Sequence, residues 1–255
     1  MFARARYRVI LALFLLGSAA VSAQSAPVGL YNEANELYRQ GEFDAARDRY
    51  QAVAQSGRRD SRLFYNLGNA CFKAERLGEA ILWYERALRL DPRDADIRAN
   101  LLFANRVKRD RDPDLPGNPV WRFFVSAFFY PTLNELSVVF SVSLLLACTV
   151  AAWRLWARER AGVSRLALLL TCASLTLFSG AFLGVRVYRQ GDVIEAVVTA
   201  AEGVARSAPE RAQTVVFTLH EGTKVRIERR EHDWLLIRLA NGLGGGLPAT
   251  VVAQI

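Results

Sequence analysis

The sequence predicts a multidomain membrane protein that combines α-helical repeats, a two-helix transmembrane hairpin and a small all-β barrel. Three observations carry this prediction. Two uncharged apolar runs, 136–153 and 166–185, are each about long enough for an α-helix to cross the roughly 30 Å hydrocarbon layer. The residues before these runs repeat with a period of 34. The residues after them alternate between apolar and polar in short segments, as β-strands do.

Residues 1–23 are typical of a secretory signal peptide. Arg4, Arg6 and Arg8 precede an apolar stretch, and the segment ends in small residues, which predicts cleavage after Ala23. The alternative is an anchor helix that is not cleaved. Either way, the residues that follow are expected to leave the cytoplasm.

Residues 27–109 divide into two repeats, 27–60 and 61–94, and a capping helix, 95–109. A shift of 34 residues places Asn35 on Asn69, Ala46 on Ala80 and Tyr50 on Tyr84. The small residues Gly68 and Ala80 and the closing Pro92 resemble the tetratricopeptide consensus, in which two antiparallel helices approach closely. We expect helices at 28–40, 43–56, 61–74, 77–90 and 95–109.

The resemblance to tetratricopeptide repeats implies a concave face, lined by the first helix of each repeat, that binds a peptide of a partner. By position this face holds Tyr31, Asn35, Tyr38, Arg39, Tyr65, Asn69, Phe72 and Lys73, with Phe103 from the capping helix. Such a mixture of aromatic, amide and cationic side chains suits a peptide backbone with an acidic or carboxylate group. Tyr65 and Asn69 are the leading candidates for contact. The alternative is that these side chains support the fold.

Residues 110–135 are predicted to be a linker followed by an interfacial aromatic segment. The linker is rich in proline and aspartate, and Trp121, Phe123 and Phe124 follow it just before the first apolar run. Aromatic rings are favoured at the membrane–water boundary, which places this segment at the membrane surface. A buried contact against the repeats or a partner is the alternative.

The two transmembrane helices are expected at 136–156 and 166–187, joined by a basic loop at 157–165. Four arginines and one acid lie in 154–165, and arginine in a short loop is retained in the cytoplasm. This orientation predicts a multi-pass membrane protein with both soluble parts on the side opposite the cytoplasm. Gly180 and Gly184 would allow close helix packing, either within the hairpin or with another helix.

The net charge of +8 has a topological origin. The leader and the loop 154–165 carry +3 each, while 24–108 carries +2 and 193–255 is neutral. Neither soluble part therefore has the basic stripe that nucleic-acid binding requires. No paired carboxylates, nucleophile with a base, or metal-ligand motif can be assembled, so we expect a non-enzymatic protein without cofactor or metal.

Residues 193–255 resemble a bacterial SH3-like (SH3b) domain. The resemblance rests on Arg206-Ser-Ala-Pro209, Leu219-x-x-Gly222, Asp233-Trp234 and Asn241-Gly242. We expect Trp234 in the core, and His220 and His232 facing solvent beside hairpin turns. The family usually has tryptophan where Gly246 stands, so part of its aromatic surface is missing here.

The order of these parts resembles BatE-type proteins of the bacterial aerotolerance (Bat) operon. That resemblance implies an inner-membrane scaffold beside von Willebrand-type Bat membrane proteins and, indirectly, a MoxR-type ATPase, in tolerance of envelope stress. The alternative is a peptidoglycan-associated protein whose SH3b domain binds cell-wall peptide.

Overall fold

The computed structural model describes residues 28–111, 118–156, 163–192, 194–208 and 213–255. Two compact units result: one combines the residues before 113 with those from Glu195 onward, and the other comprises Pro113–Ile194. The chain therefore leaves the first unit, forms the second, and returns to complete the first. The predicted signal peptide, most of the predicted basic loop and the Pro209 turn lie outside the described residues.

Five helices form the first part of the first unit: α1 (28–39), α2 (Phe43–Gln55), α3 (Ser61–Lys73), α4 (Leu77–Leu90) and α5 (Ala95–Val107). They begin where the repeat pattern predicts. Asp60 and Asp94, one repeat apart, cap α3 and α5 by accepting hydrogen bonds from main-chain N–H groups of the first turn. A Cβ at Gly68 would lie 2.6 Å from the Tyr84 ring, so a glycine permits the predicted close packing of α3 on α4.

The residues after Glu195 form a seven-stranded sheet with the order β3-β2-β6-β5-β4-β1-β7. The strands are β1 (Ile194–Val198), β2 (Glu202–Arg206), β3 (Val215–His220), β4 (Lys224–Glu231), β5 (Trp234–Arg238), β6 (Gly244–Pro248) and β7 (Val252–Gln254). Within the described residues β3 and β7 are edge strands, so the sheet is not the closed barrel that the sequence predicts. Two arginines of α4 bind carbonyl groups at the β7 end: Arg86 Nε donates to the Gln254 carbonyl at 3.1 Å, and Arg89 Nη1 donates to the Ile255 carbonyl at 2.9 Å.

Trp234 is half-buried and does not join the core of the sheet, contrary to expectation. Successive side chains of a strand point to opposite faces. In β5 the buried residues are Leu235 and Ile237, which pack with Leu247 of β6. Trp234 lies out of phase with them.

The sheet and the helices share one apolar core. Val197 of β1 is fully buried in the same cluster as Ile81 of α4. At Gly222, in the β3–β4 turn, an added Cβ would lie 2.6 Å from Ile81 Cδ1. At Gly78, in the first turn of α4, an added Cβ would lie 2.7 Å from the Val198 carbonyl oxygen. The two soluble parts are therefore a single folded body, a relationship that the sequence leaves open.

Polar contacts complete this repeat–sheet interface. The Glu221 carboxylate accepts the Gly78 N–H at 3.1 Å and so supplies a cap for α4. Asp110 accepts hydrogen bonds from the His220 N–H at 2.7 Å and from Thr223 Oγ1 at 2.6 Å, and its second oxygen lies 2.8 Å from His220 Nδ1. His220 is thus part of the interface, whereas the sequence suggested a solvent-facing residue.

The chain is held in this interface both where it leaves the first unit and where it returns. Asp110 is fixed by His220 and Thr223, as described above. Glu195 pairs with Arg89 of α4 at 3.0 Å and with Lys224 of β4 at 3.3 Å. The intervening second unit is therefore an insertion into a continuous soluble fold.

The second unit contains α6 (Pro119–Phe129), α7 (Leu133–Trp156) and α8 (Val163–Asp192). Pro119 begins a helix here, although the sequence predicted it to lie in the linker. A proline at the first helical position is compatible with a helix, and Asn118 caps this one. Helix α8 begins at Val163, so the last residues of the predicted basic loop are helical.

Two stretches of this unit, Leu133–Arg154 and Leu166–Tyr188, are long and apolar enough to cross a membrane, with mean hydropathies of 2.2 and 2.0. Only 11% and 6% of them are buried, which is unlike the core helix of a soluble protein. Helices α7 and α8 pack together: a Cβ added at Gly180 would lie 2.9 Å from the Phe140 ring, whereas a Cβ added at Gly184 would meet no atom of another described element within 4 Å. Of the two glycines, Gly180 serves packing within the hairpin.

Candidate functional site: the concave face of the repeats

Two cavities lie side by side on the face formed by α1, α3 and α5. A cavity of about 260 Å³ is lined by Asn35, Tyr38, Arg39, Tyr50, Asn66 and Asn69. A cavity of about 340 Å³ is lined by Tyr38, Tyr65, Asn69, Phe72, Lys73, Tyr84, Asn100 and Phe103. Because both include Tyr38 and Asn69, we treat them as one repeat groove.

The repeat groove brings together seven of the eight residues that the sequence singles out, and Phe103 as well. The exception is Tyr31. Its hydroxyl accepts a hydrogen bond from Asn66 Nδ2 at 2.8 Å, and its ring packs edge-on against Tyr50 with centroids 5.6 Å apart. Tyr31 therefore supports the groove from the side and lines neither cavity.

A ladder of hydrogen bonds between tyrosine and asparagine forms the floor of the groove. Tyr50 donates to Asn35 Oδ1 at 2.6 Å, and Tyr84 donates to Asn69 Oδ1 at 2.7 Å. The two pairs are related by the 34-residue shift. Burial, and secondarily neighbouring tyrosines, raise the pKa of both Tyr50 and Tyr84, so both phenols keep the protons that they donate.

A second set of hydrogen bonds links α1 to α3 and α3 to α5, the helices that line the concave face and are called the A helices below. As Asn66 reaches Tyr31, so Asn100 of α5 reaches Tyr65 at 3.1 Å and also Asn69 Oδ1 at 2.9 Å. The capping helix therefore continues the pattern of the repeats. Asn66 and Asn100 were missed as site residues, although the 34-residue shift relates them and would have identified them.

In Asn35 and Asn69 the oxygen and the nitrogen of the side-chain amide have different surroundings. Each side-chain oxygen is used inside the fold. Neither side-chain nitrogen donates a hydrogen bond within the part of the chain that the structure describes. Asn35 and Asn69 therefore support the fold through their side-chain oxygens, and both residues line the groove.

Cations and exposed aromatic rings line the edge of the groove. Arg39 pairs with Glu36 on its own helix. Lys73, at the aligned position of α3, is exposed and has no ion-pair partner among the described residues. Phe72 and Phe103 meet edge to face with centroids 5.7 Å apart, and Phe103 is 55% exposed.

Cys71 lies behind the groove and is buried. Burial, and secondarily the charge of Glu79, raise the pKa of this thiol, so it stays protonated at neutral pH. A search of the described residues finds no cluster of three or more His, Cys, Asp or Glu that could hold a metal ion.

Residues 31–95 match a family model described as tetratricopeptide repeat. The matched segment covers both repeats, including Asn35, Tyr38, Asn69 and Phe72 of the groove. A comparison with curated proteins finds no match. Tetratricopeptide repeats are modules of protein–protein interaction, so residues 31–95 form a helical repeat region suited to binding another protein.

Proposed function

We propose that this protein is a non-enzymatic, membrane-anchored adaptor whose repeat groove binds an extended segment of a partner protein. The observation that carries the proposal is the ladder of the groove. It holds Asn35 and Asn69, one repeat apart, through their side-chain oxygens, and both residues line the same cavity with an amide N–H group that no described residue accepts. Fixed donors of this kind suit the carbonyl groups of a peptide backbone in extended form.

The edge of the groove favours a segment with acidic character. Lys73 supplies a cation that the described fold does not neutralise, and Arg39 stands at the aligned position of the first repeat. Phe72 and Phe103 add apolar surface for one side chain of the ligand. Since two repeats give a short groove, we expect modest affinity and partner selection aided by anchoring in the same membrane.

The single soluble unit supports the proposed membrane topology. Residues before 113 and residues from Glu195 onward fold together, so both must lie on one side of any membrane that the chain crosses. An even number of crossings is then required, and α7 and α8 provide two candidates. Together with the arginine-rich loop, this supports the proposal that the soluble unit lies in the periplasm of a bacterium and the anchor in its inner membrane.

We place the adaptor in a Bat/MoxR-type envelope stress complex. The support is the order of the chain's parts, which resembles BatE-type proteins. Von Willebrand-type membrane proteins would be its direct partners and a MoxR-type ATPase an indirect one. No observation favours the alternative of cell-wall binding: Gly246, where the aromatic residue of SH3b domains would stand, is buried in β6 beside Leu236.

Site-directed photo-crosslinking in intact membranes tests the proposal. A photoreactive residue at Phe103 should capture a partner protein, and one at Arg58, an exposed cation of the α2–α3 loop that lines neither cavity, should not. Lys73→Glu should reduce capture at Phe103 by about ten-fold, as expected when a charge pair becomes a repulsion. Arg58→Glu is the matched control. Equal capture from both positions, or no effect of Lys73→Glu, would contradict partner binding by the repeat groove.

A further inference from the structure

Helix α6 exposes a continuous apolar surface. Val120, Phe123 and Phe124 are 58%, 69% and 60% exposed. Their spacing of three and four residues puts them on one face of the helix. The C-terminal end of α6 contacts α8, where the Phe128 ring meets Phe182 edge to face with centroids 4.7 Å apart.

Arg186 of α8 fixes that end. Its Nη1 donates to the Phe128 carbonyl at 2.9 Å, its Nη2 donates to the Pro131 carbonyl at 3.3 Å, and its guanidinium lies 5.7 Å from the centre of the Phe128 ring. The last carbonyls of a helix have no partner within the helix. Near hydrocarbon such groups must be satisfied by protein, and a guanidinium with several donors can satisfy two at once.

The contacts of Arg186 with Phe128 and Pro131, called the Arg186 clamp below, have a position along the chain that indicates their depth in a membrane. Arg186 comes two residues before the end of the apolar stretch Leu166–Tyr188, and Pro131 comes two residues before the start of Leu133–Arg154. The clamp therefore joins α6 to the hairpin at the level where both apolar stretches stop. In a hairpin that spans a membrane, that level corresponds to the boundary between acyl chains and headgroups, where aromatic side chains are favoured.

We propose that α6 is an interfacial helix whose face of Val120, Phe123 and Phe124 is covered by lipid at the headgroup–acyl boundary, and that Arg186 is the residue that holds it at this depth. The proposal rests on the proposed membrane anchoring. Lipid is the occupant because the exposed face of α6 continues, across a three-residue connection, into the exposed apolar surface of α7. The sequence indicates an aromatic segment near the membrane, and the structure adds the clamp and the depth.

The test uses the full chain in vesicles of phosphatidylcholine and phosphatidylglycerol. Cys148 and Cys172 are replaced by serine, Cys71 is buried and unreactive, and an environment-sensitive fluorophore is attached at Phe124→Cys. Lipids that carry a nitroxide quencher high or low on the acyl chain report the depth. Quenching of the label at Phe124 by the shallow nitroxide should exceed quenching by the deep nitroxide by about two-fold or more, as for a side chain at the interface.

Two further label positions separate the possible failures. A label at Leu145→Cys, in the middle of α7 and 68% exposed, should be quenched most by the deep nitroxide, and a label at Arg58→Cys by neither. Absence of quenching at Leu145 would overturn membrane anchoring and this proposal with it. Deep quenching at Leu145 with a water-exposed label at Phe124 would overturn the interfacial helix alone. A Phe124 label that is shielded from water yet insensitive to both quenchers would indicate a protein contact and also contradict the proposal.

The role of Arg186 is tested in the same preparation. Arg186→Leu should reduce shallow quenching at Phe124 by about half while leaving the Leu145 signal unchanged, because α6 loses its tie and the hairpin keeps its apolar length. Arg58→Leu is the control substitution. An unchanged depth of the Phe124 label in Arg186→Leu would show that Arg186 does not position α6.

Discussion

Helices α2 and α4 occupy the same place in successive repeats, yet their outer faces differ completely. In α2 that face carries Asp44, Asp48 and Arg49, all exposed. The aligned residues of α4 are Gly78, Leu82 and Trp83, all buried. The inner faces are alike, because Tyr50 and Tyr84 make the same hydrogen bond to an asparagine one helix away.

This difference shows that the residue types on the inner face of a repeat are set by packing within the repeat, whereas those on the outer face depend on what packs against it. Because the sheet packs on α4, the outer face of α4 is apolar where that of α2 is charged. It has a glycine, Gly78, where the Val198 carbonyl approaches. Trp83 packs on Phe64 and lies under the guanidinium of Arg86, which in turn binds the β7 edge. The outer residues of α2 are exposed, and Asp44 and Asp48 form surface ion pairs with Arg47 instead.

The largest expected effect comes from the apolar centre of the repeat–sheet interface. Ile81→Ala should lower the free energy of unfolding by about 3 kcal/mol, since a fully buried side chain leaves a cavity between helix and sheet. Asp48→Ala on the outer face of α2 should change it by less than about 0.5 kcal/mol. Chemical denaturation of the purified protein measures both. Equal effects would mean that the sheet does not cover α4.

A somewhat smaller effect is expected at the tightest contact of the interface. Gly78→Val should cost about 2 kcal/mol, because its side chain would have to displace the Val198 carbonyl. Asp44→Val at the aligned position meets only solvent and surface charges, and should cost less than about 1 kcal/mol. The comparison of melting temperatures of the two variants provides the measurement. A tolerated Gly78→Val would contradict the close approach.

On the inner face the two repeats should respond equally. Tyr50→Phe and Tyr84→Phe each remove one buried hydrogen bond and should each cost about 1 kcal/mol. Urea denaturation of both variants tests the equality. A cost found only at Tyr84 would show that the ladder belongs to the sheet-covered repeat and not to the repeat as such.

The smallest predicted effect concerns acid. Although partial burial opposes ionisation, hydrogen bonds from Thr223 and His220 hold the pKa of Asp110 below its ordinary value. A lowered folded-state pKa contributes stability that is present above the unfolded-state pKa of about 4 and is lost as the pH falls through the folded value. Asp110→Asn should therefore be less stable than the wild type at neutral pH, and the difference should shrink in acid. Thermal unfolding across this range checks the sign, and a difference that grows in acid would contradict it.

Local pattern predicts much of this molecule from its sequence. The starts of α2 to α5 follow from repeat spacing and from caps such as Asp60, and seven groove residues follow from their place on the A helices. The union of helices and sheet could not be predicted in the same way, because its contacts join residues as far apart in sequence as Gly78 and Glu221. The apolar outer face of α4, seen when the two repeats are aligned, is the sequence feature that indicates this contact.

The most direct test of the central claim is native-state hydrogen exchange on the full-length protein in membrane mimetics. If repeats and sheet are one folded body, Ile81→Ala should lower the opening free energy of amides in α4 and in β4 by the same amount, about 3 kcal/mol. An effect confined to the helices, with β4 protected as in the wild type, would mean that the sheet folds independently and would contradict the account.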